Sequence, residues 1–113
     1  MTAIINPTTA PTKIIVTILS KRMPGLTFNL DYFLSTHIQI TAECWKQYGL
    51  IDATYAEVFG DSEFAFTITL RFSETDSWAK VMDDEAAMGK MQADVANFTN
   101  GTPIFVVGKV PEL

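Results

Sequence analysis

The chain carries one histidine, His37, and its neighbours make it the residue with most to offer chemically. Phe33 and Leu34 precede it by four and three positions, and Ile40 and Thr41 follow at the same spacings. On a helix these positions share one side, so the imidazole points with an apolar stripe toward whatever that stripe covers. An imidazole titrates near neutrality and can act as general acid or base on an enol or a hydroxyl. The plainer alternative is a core histidine whose ring nitrogens bond backbone or a tyrosine.

Tyr32 and Tyr48 are the phenols near enough in sequence to accompany it as catalytic residues. A phenol in a dry pocket donates to a developing oxyanion, though tyrosines in small cores also bury the ring and bond the hydroxyl locally. Tyr48 follows His37 by eleven residues, on the same face but far along it. Tyr32 precedes it by five, about 140° round a regular helix. Trp45, Phe66, Trp78 and Phe98 could line a site for a planar, greasy ligand, or simply be core. Asp94 and Asn97 are further candidate binding residues, able to orient a loop over a pocket or to cap helix ends and satisfy turns. Asp31 suits the positive end of a helix.

Other chemistries find no footing. Cys44 lies two helical turns from His37, about 10 Å, too far for a nucleophile–base pair. One cysteine and one histidine cannot build a usual zinc centre, so neither a metal nor a disulfide within the chain is expected. Gly101 and Gly108 stand singly, without a phosphate-binding loop, so no nucleotide or flavin cofactor is expected. The net charge is −5, and the eight lysines and arginines nowhere cluster. Nucleic acid and anionic membranes are therefore poor partners. No basic stretch leads into an apolar run and nothing reaches the length of a membrane span, which points to a cytoplasmic protein. The sequons at Asn97 and Asn100 then read as loop residues.

The elements that must position these residues follow from periodicity. Residues 1–12, with Pro7 and Pro11, read as a flexible N-terminal segment, and residues 13–113 as one domain. Lys13 to Ser20 is β-branched and apolar on both faces, as a strand covered from two sides should be. Leu30 to Tyr48 is a helix with Asn29 as N-cap and Gly49 as its stop. Leu50–Phe59 and Glu63–Phe72 form a hairpin through Gly60-Asp61-Ser62. On the second of these strands, Phe64, Phe66, Ile68, Leu70 and Phe72 share one face, and Ala65, Thr67, Thr69 and Arg71 the other. A second helical region opens at Ser73–Asp76, bends between Asp83 and Gly89 and resumes through Met91. Asp94 to Gly101 reads as a loop and Pro103 to Val110 as the last strand.

The order β-α-β-β-α-β is the ferredoxin-like pattern, an α+β fold with a four-stranded antiparallel sheet and two helices on one face. The other face needs a cover, and the simplest is a second copy, giving a homodimer whose two sheets make a dimeric α/β barrel. A chain of 113 residues leaves no room for a large cavity of its own, so a deep ligand site is expected to draw on the partner.

Two stretches resemble the EthD-like family. Pro24-Gly25-Leu26-Thr27-Phe28-Asn29-Leu30-Asp31-Tyr32-Phe33, followed by His37, is similar to its opening motif. Asp94-Val95-Ala96-Asn97-Phe98-Thr99-Asn100, with Pro103 beyond, is similar to its second signature. The chain departs in having His37-Ile38-Gln39-Ile40 where His-x-Pro-Leu is common, and Asn29 where Asp is frequent. The resemblance spans Lys13 to Val110 and implies a ferredoxin-like dimer. It fixes no reaction, because this scaffold serves cyclases, dehydratases, decarboxylases, isomerases, cofactor-free monooxygenases and members without shown activity.

The leading expectation is a cofactor-independent enzyme of secondary metabolism acting on a hydrophobic aromatic or polyketide-like small molecule, with His37 moving a proton. The alternatives are a non-catalytic ligand-binding or accessory dimer, and a cofactor-free oxidoreductase of the monooxygenase type.

Overall fold

A computed structural model describes residues 1–112. Its strands are β1 (Thr2–Ile4), β2 (Ile14–Lys21), β3 (Leu50–Glu57), β4 (Phe64–Phe72) and β5 (Ile104–Lys109). They form one antiparallel sheet in the order β1-β3-β4-β2-β5. Between β2 and β3 a long helical run passes through Leu30–Tyr32, Phe33–His37, Ile38–Trp45 and Lys46–Tyr48. Helices Ser77–Asp83 and Glu85–Val95 connect β4 to β5. The fold is ferredoxin-like α+β, with one strand more than the sequence pattern foretells.

The extra strand comes from the segment read as flexible. Thr2, Ala3 and Ile4 pair with Thr54, Ala53 and Asp52 along the free edge of β3. The Met1 amino group donates to the Tyr55 carbonyl at 2.8 Å. Ile5 is buried in the core, a contribution of about 1.5–3 kcal/mol. The two prolines shape only the chain between this strand and β2. A four-stranded sheet is thus corrected to five because three residues too short to show a period still find an unpaired edge.

Cross-strand register sorts the two faces. Ile14, Val16, Ile18 and Ser20 lie opposite Phe72, Leu70, Ile68 and Phe66, and this face packs against the helices. Val16, Leu50, Phe72 and Val81 are fully enclosed there. The opposite face shows Ile15, Thr17 and Leu19 beside Arg71, Thr69 and Thr67. No helix among the described residues covers it, and Val106 on β5 stays 52% exposed.

Local sequence sets the helix boundaries. The Asn29 side chain accepts from the Tyr32 backbone N–H at 3.0 Å, as an N-cap does. Gly49 ends the run with φ 87°, a left-handed conformation natural only to glycine. The second helical region breaks at Asp84, whose carboxylate caps the next helix by accepting from Ala87 N–H at 3.1 Å. Gly89 has open space around it and merely lowers helix propensity, so the helix runs on to Val95. Asp94 therefore sits on a helix and not in a loop, which decides what it can reach. No helix of the described residues is long and apolar enough to cross a membrane.

Candidate active site

Asp94 is the hub of the site. Its Oδ2 lies 2.8 Å from His37 Nδ1. Its Oδ1 accepts from the Tyr32 hydroxyl at 2.7 Å and from the Asn97 side-chain amide at 3.0 Å. Three residues from the two stretches described above thus meet on the carboxylate of a fourth. Burial alone would raise the Asp94 pKa, but the donors Tyr32, Asn97 and His37 outweigh it and hold the group below its ordinary range. An ionised carboxylate only accepts, so the proton on this contact belongs to His37 Nδ1.

That assignment leaves Nε2 as the free nitrogen of a neutral ring. The imidazole packs with Phe33 and Phe98 in a three-ring cluster, with centroids 5.7 Å and 4.4 Å away. Burial pushes its pKa below 6.5, and the bond to Asp94 opposes this only in part. Near neutrality the ring is an uncharged base with a fixed tautomer.

The helix geometry explains how Tyr32 joins. Phe33–His37 is one π-helical turn, in which Ile38 N–H donates to the Phe33 carbonyl. A π turn winds more residues per turn than an α-helix, which brings positions five apart nearer to one side, and Tyr32 and His37 both reach the same carboxylate. Thr41 steadies the turn, its hydroxyl donating to the His37 carbonyl at 3.0 Å.

His37 borders a cavity of about 300 Å³ between the helices and the sheet, at the small end of ligand pockets, roughly 300–1,000 Å³. Residues of a single chain line it, and it stays open to solvent. Ile18, Ile68 and Leu70 form its floor, and Met88 and Met91 its far wall. Gln92 and Phe105, both solvent-exposed, stand at its mouth.

The other sequence candidates divide. Trp45, Phe66 and Phe98 line this cavity. Trp78 does not; it stands behind Trp45 at a centroid distance of 6.1 Å and is core support. Asp94, Asn97 and Tyr32 act behind His37 without bordering the cavity. Tyr48 belongs elsewhere, because its hydroxyl donates to Asp84 at 2.7 Å at the break between the later helices. Eleven residues of helix carry it away from His37, and a nearer carboxylate claims it. Ser20 was missed, although a polar residue in step with Ile14, Val16 and Ile18 on an inward face is a visible signal.

No family model and no curated sequence matches the chain. Solved structures do match. An EthD-like protein from Ralstonia eutropha superposes with a TM-score of 0.69 at 16% identity, over 87% of this chain and 91% of that one. An ethyl tert-butyl ether D (EthD) family protein from Bacillus halodurans gives 0.61 at 14% identity, over 88% and 99%. SnoaB from Streptomyces nogalater, a cofactor-independent oxygenase, gives 0.55 at 10% identity, over 88% and 93%. The chain has the fold of EthD-like proteins.

Proposed function

We propose, with the EthD-like fold as premise, that the chain is a cofactor-independent enzyme whose His37 moves a proton on a hydrophobic aromatic or polyketide-like molecule. The observation that carries this reading is the Asp94–His37 pair, whose histidine lines an apolar cavity and whose Nε2 is left without a hydrogen-bond partner among the described residues. Asp94 fixes the tautomer and stabilises the imidazolium that forms. Nε2 takes a proton from an acidic C–H or O–H and can return it to another atom of the same molecule. Cyclisation, dehydration, decarboxylation and isomerisation all begin or end with such a transfer.

Deuterium exchange at the α-carbon of β-tetralone, a two-ring ketone, tests the step without knowledge of the natural substrate. Wild-type protein should accelerate exchange, and His37→Gln should return it to the buffer rate. Equal rates for the two proteins would leave the ligand-binding alternative.

The likeness to SnoaB supports a second outcome of the same first step. A deprotonated, electron-rich ring can give an electron to dioxygen, and oxygen uptake with an anthrone separates this path from proton transfer alone.

The uncovered sheet face and the exposed apolar residues of β5 support a homodimer with sheets packed face to face. Light scattering should give the mass of two chains, and Val106→Asp the mass of one. A wild-type mass of one chain would remove the barrel from this reading.

A further inference from the structure

Ser20 is an inward-facing polar residue on β2 that no part of the preceding mechanism uses. It is only 2% exposed, and it borders the cavity together with His37. Its hydroxyl has no hydrogen-bond partner among the described residues, yet it is not among the sealed, partnerless polar atoms. The sliver of surface that Ser20 keeps lies in the wall of the cavity, where its unpartnered hydroxyl has no protein group to bond. A hydroxyl held in an apolar enclosure without a partner is costly, and such a group needs an explanation.

The loop after Asp94 ties Ser20 to the histidine. Phe98 packs on the His37 ring. Three residues on, a Cβ at Gly101 would lie 2.9 Å from Ser20 Oγ and 3.0 Å from a Leu26 methyl. Glycine at this position keeps the hydroxyl uncrowded. One short segment thus orients the base through Asp94, packs it through Phe98 and leaves space for Ser20 through Gly101.

We propose that Ser20 Oγ–H is the hydrogen-bond donor to the substrate oxygen on which charge develops, and that the substrate class is an enolisable ketone joined to aromatic rings. This rests on the proton-transfer reading of His37. The α-C–H bond breaks, its proton goes to His37 Nε2, and the electron pair passes through the α-carbon to the carbonyl oxygen. Ser20 donates to that oxygen as it becomes an enolate. Reprotonation from the imidazolium, at carbon or at oxygen, restores the base. No oxidant or reductant is consumed. A hydroxyl serves where an ammonium would not, because a neutral donor can sit in an apolar wall while no charge is present.

The same exchange assay decides it. Ser20→Ala should lower the rate constant for β-tetralone exchange by at least about tenfold. The concentration dependence should change less, since the bond strengthens only as the enolate forms. Gly101→Ala, which crowds the hydroxyl without requiring an unusual backbone, should lower the rate in the same direction and serves if Ser20→Ala folds poorly. The His37 ring signals should titrate in both variants as in the wild type, which a general loosening of the site would not allow. Wild-type rates in both variants, with His37→Gln inactive, overturn the role of Ser20 and leave the base intact. A wild-type protein no faster than buffer overturns the proton-transfer reading and this inference with it.

Discussion

His37 and Asp94 stand 57 positions apart in the chain, yet Nδ1 and Oδ2 lie 2.8 Å from one another. The contact joins the first helical run to the last turn of the helix that precedes β5. It turns a lone histidine on an apolar stripe into an oriented base. The same carboxylate also holds Tyr32 and Asn97, so the base has a rigid backing and one free nitrogen.

Replacing Asp94 by Asn should be the most informative change behind the ring. The amide can donate to Nδ1, which favours the wrong tautomer and places the proton on Nε2. Exchange of β-tetralone should fall about 100-fold or more. The His37 pKa should drop further, because both contributions of Asp94 raise it against burial. An NMR titration of the ring checks the shift, and an unchanged rate would separate Asp94 from the chemistry.

Acid should weaken the fold first through His37. Its folded pKa lies below the ordinary 6.5, so the unfolded chain binds a proton that the native state refuses. This contribution to stability is complete above 6.5 and is lost as pH falls from there through the folded value. Asp94, depressed below 3.8, adds a separate loss only in stronger acid. Denaturant unfolding between about pH 7 and pH 5 should therefore show a smaller slope in His37→Gln than in the wild type. Parallel slopes would mean that the ring is not held neutral.

The two tyrosines near His37 in sequence should behave differently. Tyr32→Phe removes one of the donors to Asp94, and exchange should slow by about tenfold, the scale of outer groups that orient a working side chain. Tyr48→Phe breaks only the bond to Asp84, so the melting temperature should fall while the rate of the remaining folded protein stays unchanged. Equal kinetic losses in the two variants would contradict the placement of Tyr48 outside the site.

Much of this arrangement is legible in the sequence, and the gaps have physical causes. The alternation of Phe64 to Phe72 gives β4 and its two faces, and the stripe from Leu30 to Tyr48 gives a helix with His37 turned inward. Asn29 and Gly49 mark that helix because each fills a backbone requirement few residues can meet. The meeting of Tyr32 with His37 is hidden, since regular helix geometry separates them and only the π turn brings them to one carboxylate. Asp94 is seen as a candidate but placed in a loop, whereas the helix that resumes after the bend runs past Met91 to Val95. Tyr48 lies far along the face it shares with His37, and the carboxylate that takes its hydroxyl, Asp84, stands 36 positions away in sequence, which helix spacing alone does not show. The cavity itself cannot be read from residue spacing, as it depends on how helix Glu85–Val95 stands off the sheet.

The single histidine allows the central claim to be tested without interference from any other ring. Nitrogen-15 NMR of His37 across pH, with and without β-tetralone, reports tautomer, pKa and access together. The expected result is a neutral ring protonated at Nδ1, titrating below 6.5, whose Nε2 signal moves when the ketone is added. A ring that carries its proton on Nε2, or that responds neither to pH nor to the ketone, would make His37 a sealed core residue and contradict the account.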